Sequence, residues 1–259
     1  MCLILFAWQA HPRYPLIVAA NRDEFHDRPT RAAEFWEDNP AILAGRDIQA
    51  GGTWLGVSRS GRFAAITNYR EPLFKASPLE YSRGHLVRDF LLDDSVPASY
   101  AERLQTSGTH YRGFNILAGD PDELFYVSNR KDRPARVSAG SHGLSNHLLD
   151  TDWPKVHTGR SRLDAILKDE MVEPEALLEL LADRSPASPG RLSTEELQSE
   201  PEKMTKMIFI GSPLYGTRSS TVLLLDHNGE MTFVERQFDT NGNAVGTRGH
   251  KLRISSRPV

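Results

Sequence analysis

The chain opens Met1-Cys2-Leu3-Ile4-Leu5-Phe6-Ala7-Trp8-Gln9-Ala10-His11-Pro12-Arg13-Tyr14-Pro15-Leu16-Ile17-Val18-Ala19-Ala20-Asn21-Arg22-Asp23-Glu24. Two apolar, β-rich runs, 3–8 and 16–20, flank the polar segment 9–14, the pattern of a hairpin. In an antiparallel pair the start of one strand lies opposite the end of the next. A turn centred near His11 and Pro12 makes paired positions sum to roughly 23 or 24. Cys2 then faces Asn21 or Arg22, and the polar cluster 21–24 meets the cysteine at one sheet end.

Cys2 is the only cysteine in the chain. Its small side chain suits removal of Met1 by an aminopeptidase. Removal leaves a thiol and an α-amine on one residue. A free α-amine has a pKa of about 7.7–8.0 and serves as a base near neutrality. The thiol, near ~8.5 when free, falls beside a cation such as Arg22. The bland reading is a small buried hydrophobe beside a solvated strand-end turn.

Composition bounds the remaining choices. The 259 residues are 39% hydrophobic and 25% charged, with net charge −3. That is a globular composition with no global attraction to nucleic acid or anionic lipid. No apolar run approaches the ~20 residues of a membrane span. The opening lacks the basic start of a signal peptide. One cysteine excludes an internal disulfide framework and a thiolate zinc cluster, so a cytoplasmic protein with a reduced thiol is expected. The histidines have no metal spacing, so no metal and no resident cofactor are expected.

Further along, a second hairpin is expected over 54–57 and 62–67, and the polar stretch between the hairpins reads as ordered loop. Helices are expected over 85–92, capped by Ser82, and from Pro97 to about 104. Strands follow over 114–118, 124–128 and 135–139, then helices over 154–167 and 174–182. The segment 185–190 is linker-like but too short to separate domains, so residues 1–259 read as one domain. Strands are expected over 207–210, 221–226 and 231–237. Strands at both ends with helices between them indicate a layered α+β fold.

The string Asn21-Arg22-Asp23-Glu24 resembles the motif that names the NRDE family, the homologues of transport and Golgi organisation protein 2. Met1-Cys2, Ala44-Gly45-Arg46-Asp47, Gly51-Gly52-Thr53-Trp54-Leu55-Gly56, Thr67-Asn68-Tyr69-Arg70, Leu144-Ser145-Asn146 and Tyr215-Gly216-Thr217-Arg218-Ser219-Ser220-Thr221 resemble that family in the same order. The family in turn resembles the N-terminal-nucleophile hydrolases, which implies a four-layer α-β-β-α sandwich of antiparallel sheets. The cysteine branch of that superfamily is the most similar. It implies Cys2 as nucleophile, with Arg22, Asp23, Asn68, Asn146 and Arg218 as catalytic residues. An asparagine N–H aimed at a developing oxyanion is worth ~2.7–4 kcal/mol.

One departure bears on the chemistry. The arginine and acid of those hydrolases stand three residues apart, whereas Arg22 and Asp23 are adjacent. On a strand Arg22 and Glu24 share one face, Asn21 and Asp23 the other. Either pair serves Cys2, and if the strand has ended the alternation lapses. Asn21, Glu24, Trp54, Tyr69 and Tyr215 are the candidate substrate-binding residues, although aromatic side chains near strand ends also build cores.

Two functions follow. One is hydrolysis of a linear amide through a Cys2 thioester. The other, which the resemblance allows, is non-enzymatic binding and trafficking of haem or of an acyl lipid or acyl-coenzyme A on the same fold. Either takes a small-molecule partner, with no nucleic acid and no integral membrane segment.

Overall fold

The computed structural model describes residues 2–71, 81–185 and 201–254. In chain order the elements are β1 (Leu3–Trp8), β2 (Leu16–Phe25), β3 (Thr30–Trp36), β4 (Asn39–Asp47), β5 (Leu55–Ser58), β6 (Phe63–Asn68), α1 (Gly84–Leu92) and α2 (Pro97–Ser107). They continue with β7 (Phe114–Gly119), β8 (Leu124–Ser128), β9 (Ala135–Arg136), β10 (Gly140–Leu144), α3 (Pro154–Ile166), α4 (Pro174–Leu181), β11 (Tyr215–Leu225), β12 (Glu230–Phe238) and β13 (Ala244–Arg253). Among the described residues no helix is long and apolar enough to cross a membrane.

The chain forms two compact units, each assembled from separate stretches. One comprises Met1–Arg28, Ala139–Ser145 and Asp150–Leu252; the other comprises Pro29–Ser138, Asn146–Leu149 and Arg253–Val259.

The first unit is built on a sheet of order β10-β1-β2-β11-β12-β13, in which β1, β2 and β11 pair antiparallel with their neighbours. Period-two alternation sends Leu3, Leu5, Ala7, Ile17, Ala19, Val222 and Leu224 to one face, where they cluster with Val156 and Leu163 of α3 and Leu177, Leu178 and Leu181 of α4. Each fully buried leucine there contributes about 2 kcal/mol. Pro154 and Pro174 start the two helices at the position where a missing N–H costs nothing. A Cβ on Gly159 would lie 2.7 Å from Leu5 Cδ1, so the glycine lets α3 sit close against β1.

The second unit carries the sheet β3-β4-β5-β6-β7-β8-β9. Ile42, Ala64, Ile66, Phe114, Ile116 and Val127 form a core with Leu86, Val87 and Phe90 of α1 and Tyr100, Ala101 and Leu104 of α2. Arg62 is fully buried under α1 and donates to the carbonyls of Phe90 and Ser95, at 2.9 Å each. Gly52 touches the start of α1: a Cβ there would lie 2.5 Å from the Gly84 carbonyl carbon. Gly52 is therefore a point of backbone contact before β5.

Several expectations need correction. The stretch between the hairpins is not loop; it contains the end of β2 and all of β3 and β4. Residues 207–210 are buried but form no strand. Ser82 makes no side-chain cap; its carbonyl accepts from His85 N–H at 3.1 Å instead. The linker-like stretch from 186 to 190 lies outside the described residues.

Candidate active site

The register of the first hairpin sums to 24: Leu3 pairs with Asn21 and Trp8 with Leu16. One step further brings Cys2 alongside Arg22. Strand β2 runs on to Phe25, so 21–24 are strand residues and their side chains alternate. On the other side of β2, β11 pairs Ser220 with Asn21, Ser219 with Arg22, Thr217 with Asp23 and Gly216 with Glu24. The register shifts between Thr217 and Ser219, which leaves Arg218 in a bulge. Bulges re-aim a side chain, and Arg218 turns back over the end of β2.

Asn21 is fully buried. Its Nδ2 donates to the carbonyls of Leu181 and Ile208, both at 2.9 Å, and its Oδ1 accepts from Ser220 Oγ at 2.6 Å. The amide is thus engaged with the C-terminal end of α4, the 207–210 segment and β11. Asp23 is also buried. Its Oδ1 accepts from Thr217 Oγ1 at 2.7 Å, and its carbonyl accepts from Tyr215 Oη at 3.0 Å. Its Oδ2 is buried with no hydrogen-bond partner among the described residues.

Cys2 is half-buried. Its Sγ lies 3.9 Å from the Asp23 carbonyl, and Ser145 Oγ donates to the Cys2 carbonyl at 2.7 Å. A third ionisable group acts on this pair. Lys155, in the first turn of α3, is fully buried, and its Nζ has no hydrogen-bond partner among the described residues. Burial pushes the Cys2 thiol up, and the Asp23 charge adds to it while Arg22 opposes. Burial likewise raises Asp23, against the pull of Lys155, the Thr217 hydroxyl and Arg22. Burial lowers Lys155, opposed by the charges of Asp23 and Cys2.

Arg22 stands on the other face with Glu24, its Nη2 3.7 Å from Glu24 Oε2. Its Nη1 is buried without a hydrogen-bond partner among the described residues. Arg218 Nη1 donates to the carbonyls of Phe25, His26 and Arg28, at 2.8, 3.1 and 3.3 Å. Burial lowers the Arg218 pKa, and the neighbouring Arg22 charge lowers it further. Tyr215 packs edge-on against Phe25, with ring centroids 5.2 Å apart.

In the second unit Asn146 is buried and Asn68, at the end of β6, is exposed. Asn146 Nδ2 donates to the Asn68 carbonyl at 2.7 Å, and Arg70 N–H donates to the Asn146 carbonyl at 2.7 Å. Tyr69 lies beside His147, with ring centroids 5.1 Å apart. The fully buried Asn115 donates to the His147 carbonyl at 2.9 Å and accepts from Tyr126 Oη at 2.8 Å, bracing the same segment. Trp54 is half-buried against the α1 and α2 core.

The sequence profile described as Transport and Golgi organisation 2 matches residues 1–240. The chain belongs to this family. It is 37% identical to the mouse Transport and Golgi organization 2 homolog, over 99% of this chain and 100% of that one. Identity with the human homolog is 35% over the same shares. Among solved structures, penicillin V acylase from Agrobacterium tumefaciens superposes with a TM-score of 0.55 at 11% identity, covering 97% of this chain and 86% of that one. A mutant conjugated bile acid hydrolase from Clostridium perfringens superposes with a TM-score of 0.52 at 10% identity, covering 100% and 99%. This Transport and Golgi organisation 2 family member therefore has the fold of the N-terminal-nucleophile hydrolases, as the sequence led us to expect.

Within the first unit of this family member, Cys2, Asp23 and Tyr215 come together, and Arg22, Glu24 and Arg218 form a neighbouring charged group. Asn68 and Asn146 are joined to each other in the second unit. Sequence reading missed Thr217 as the Asp23 partner, Ser145 as the Cys2 partner, and Lys155. A signal for Lys155 existed: it shares the stripe 155, 159, 163 with the buried Gly159 and Leu163, an apolar helix face where a lysine is out of place.

Proposed function

We propose that Cys2 is the nucleophile of an amidohydrolase site that cleaves a linear C–N amide through a thioester. The observation that carries this reading is the buried Asp23 carboxyl, on the residue whose backbone carbonyl lies 3.9 Å from Cys2 Sγ, with one oxygen taken by Thr217 and the other without a partner among the described residues. The fold shared with an acylase and a conjugated bile acid hydrolase is in keeping with it.

Removal of Met1 frees the Cys2 α-amine, and this reading gives Asp23 Oδ2 the part of the acceptor that orients it. The neutral amine takes the thiol proton. The thiolate attacks the amide carbonyl, and a C–S bond forms as the carbonyl oxygen becomes an oxyanion. The α-ammonium passes its proton to the leaving nitrogen, the C–N bond breaks, and an acyl thioester remains. Water, deprotonated by the amine, then releases the acid and restores the thiol.

Intact-mass measurement of the purified protein, before and after incubation with a panel of acyl amides, tests this. We expect loss of Met1 and a transient acyl adduct, the latter absent in Cys2→Ala. Retained Met1, or a Cys2 thiol no more reactive than free cysteine, refutes the mechanism. In that case binding of haem or acyl-coenzyme A that survives Cys2→Ala favours the carrier reading.

A further inference from the structure

We propose that Lys155 is a positioning residue of the Cys2 site, its ammonium favouring the ionised forms of Asp23 and Cys2. The inference deepens the proposed function and rests on it only in taking Cys2 as the reactive group.

Lysine is almost never fully buried unless paired, yet Lys155 has no exposed surface and no hydrogen-bond partner among the described residues. Its position compounds the cost. It is the second residue of α3, at the positive end of the helix dipole, where a cation is disfavoured. A leucine or methionine would fill the same space against β1 without either penalty, so packing gives no reason for an ammonium here.

The surrounding charges single out one pair as its counterpart. Helix α3 packs against β1, β10 and α4. Strand β1 has no charged side chain. From β10, His142 is bonded to Asp150 at 2.8 Å. From α4, Glu175 is paired with Arg236 at 2.9 Å and Glu179 is exposed. On α3 itself His157 and Asp164 are exposed, Arg160 lies 3.4 Å from Asp150, and Arg162 pairs with Asp183 at 2.7 Å. The negative groups that act on Lys155 are Asp23 and Cys2. Asp23 in turn presents an unpartnered oxygen, and it stands two residues from Asn21 on β2, so its side chain shares the face on which Asn21 bonds the end of α4 and on which α3 packs. The lysine charge favours the anionic form of both, which is the state the proposed chemistry requires.

The test is the pH dependence of Cys2 alkylation by iodoacetamide in the full chain, compared among wild type, Lys155→Met and Lys155→Arg. Loss of a nearby opposite charge disfavours the ionised form of its partner. Lys155→Met is therefore expected to move the alkylation midpoint up by about one unit and slow labelling at neutral pH about tenfold, with Lys155→Arg keeping most of the wild-type profile. A methionine variant with the wild-type midpoint overturns the proposal, since lost packing alone does not move a titration. Should that variant fail to fold, the Lys155 Cε resonance is titrated in wild type and Asp23→Asn. A lower lysine midpoint in the variant supports the pairing; identical titrations overturn it. The two readings fail separately. An unshifted profile with a trapped acyl thioester removes the lysine role alone. A shifted profile with no adduct from any amide removes hydrolysis and leaves the lysine role standing.

Discussion

Asn21 offers a sharp way to separate a bracing residue from a ligand-binding one. Replacing it with alanine strands three buried groups at once: the carbonyls of Leu181 and Ile208 and the hydroxyl of Ser220. Each unsatisfied buried group costs about 1–3 kcal/mol, and partial relaxation places the total at about 3–5 kcal/mol. At roughly 2–4 °C per kcal/mol for a chain of this size, Tm falls on the order of 10 °C. Asn21→Asp keeps the shape but turns two donors into acceptors facing carbonyl oxygens. At neutral pH it is expected to cost more than the alanine. The introduced carboxylate has a folded-state pKa raised by burial, so the folded state binds the extra proton. Its stability is therefore full below the unfolded value and is lost as pH rises through the folded one, and the variant recovers relative to wild type on acidification. Urea unfolding across pH reads both effects. A loss below about 1 kcal/mol for the alanine, or an aspartate variant without that acid recovery, refutes the bracing role.

Other outcomes follow from the same coordinates. Gly52→Ala drives a Cβ to 2.5 Å from the backbone of α1 and is expected to cost about 3 kcal/mol. Gly51→Ala, at φ +73° with nothing within 4 Å, costs only the ~1–2 kcal/mol of its left-handed backbone; equal thermal shifts for the two would contradict the packing account. Arg218→Met removes the donor shared by three carbonyls and is expected to lose about 2 kcal/mol, with Arg218→Lys recovering part, both read from urea midpoints. Burial opposes the Asp150 charge, but hydrogen bonds from His142 and the Gly143 N–H outweigh it and hold the carboxyl below its usual range. The stability it confers is present above the unfolded value of about 3.9 and is lost as pH falls through the lower folded one. Asp150→Asn should therefore be less stable than wild type at neutral pH and flatten the acid limb of the unfolding curve.

The first hairpin was legible because an apolar run, a polar turn and a second apolar run fix its register to within one residue. The extension of β2 through Asn21-Arg22-Asp23-Glu24 was not. Those residues lack strand character and are held by partners over 150 residues away, Leu181, Ile208, Thr217 and Ser220. Strands β3 and β4 were misread as loop because they are only partly buried and carry Pro40 and Gly45. Gly140-Ser141-His142-Gly143-Leu144 has weak strand propensity and becomes β10 through pairing with β1. The run 207–210 has the composition of a strand, yet the Ile208 carbonyl goes to Asn21 rather than to a ladder. At the site, spacing placed Cys2 beside Arg22 but left the acid open between Asp23 and Glu24. Only the continued strand distinguishes Asp23, bonded to Thr217, from Glu24, beside Arg22.

The pairing of β2 with β11 joins residues 16–25 to 215–225. During synthesis, the hairpin that carries Cys2 emerges long before its neighbour on that side. At about 5–20 residues per second, the roughly 200 intervening residues take on the order of 10–40 s. Through that interval the apolar strand 16–20 has a free edge, and Asp23 has not yet met the strand that supplies Thr217 and Tyr215. Order of synthesis thus leaves the hairpin that carries Cys2 open on one side while the chain is nascent, the stage at which the Met1 trimming that the proposed chemistry requires is expected.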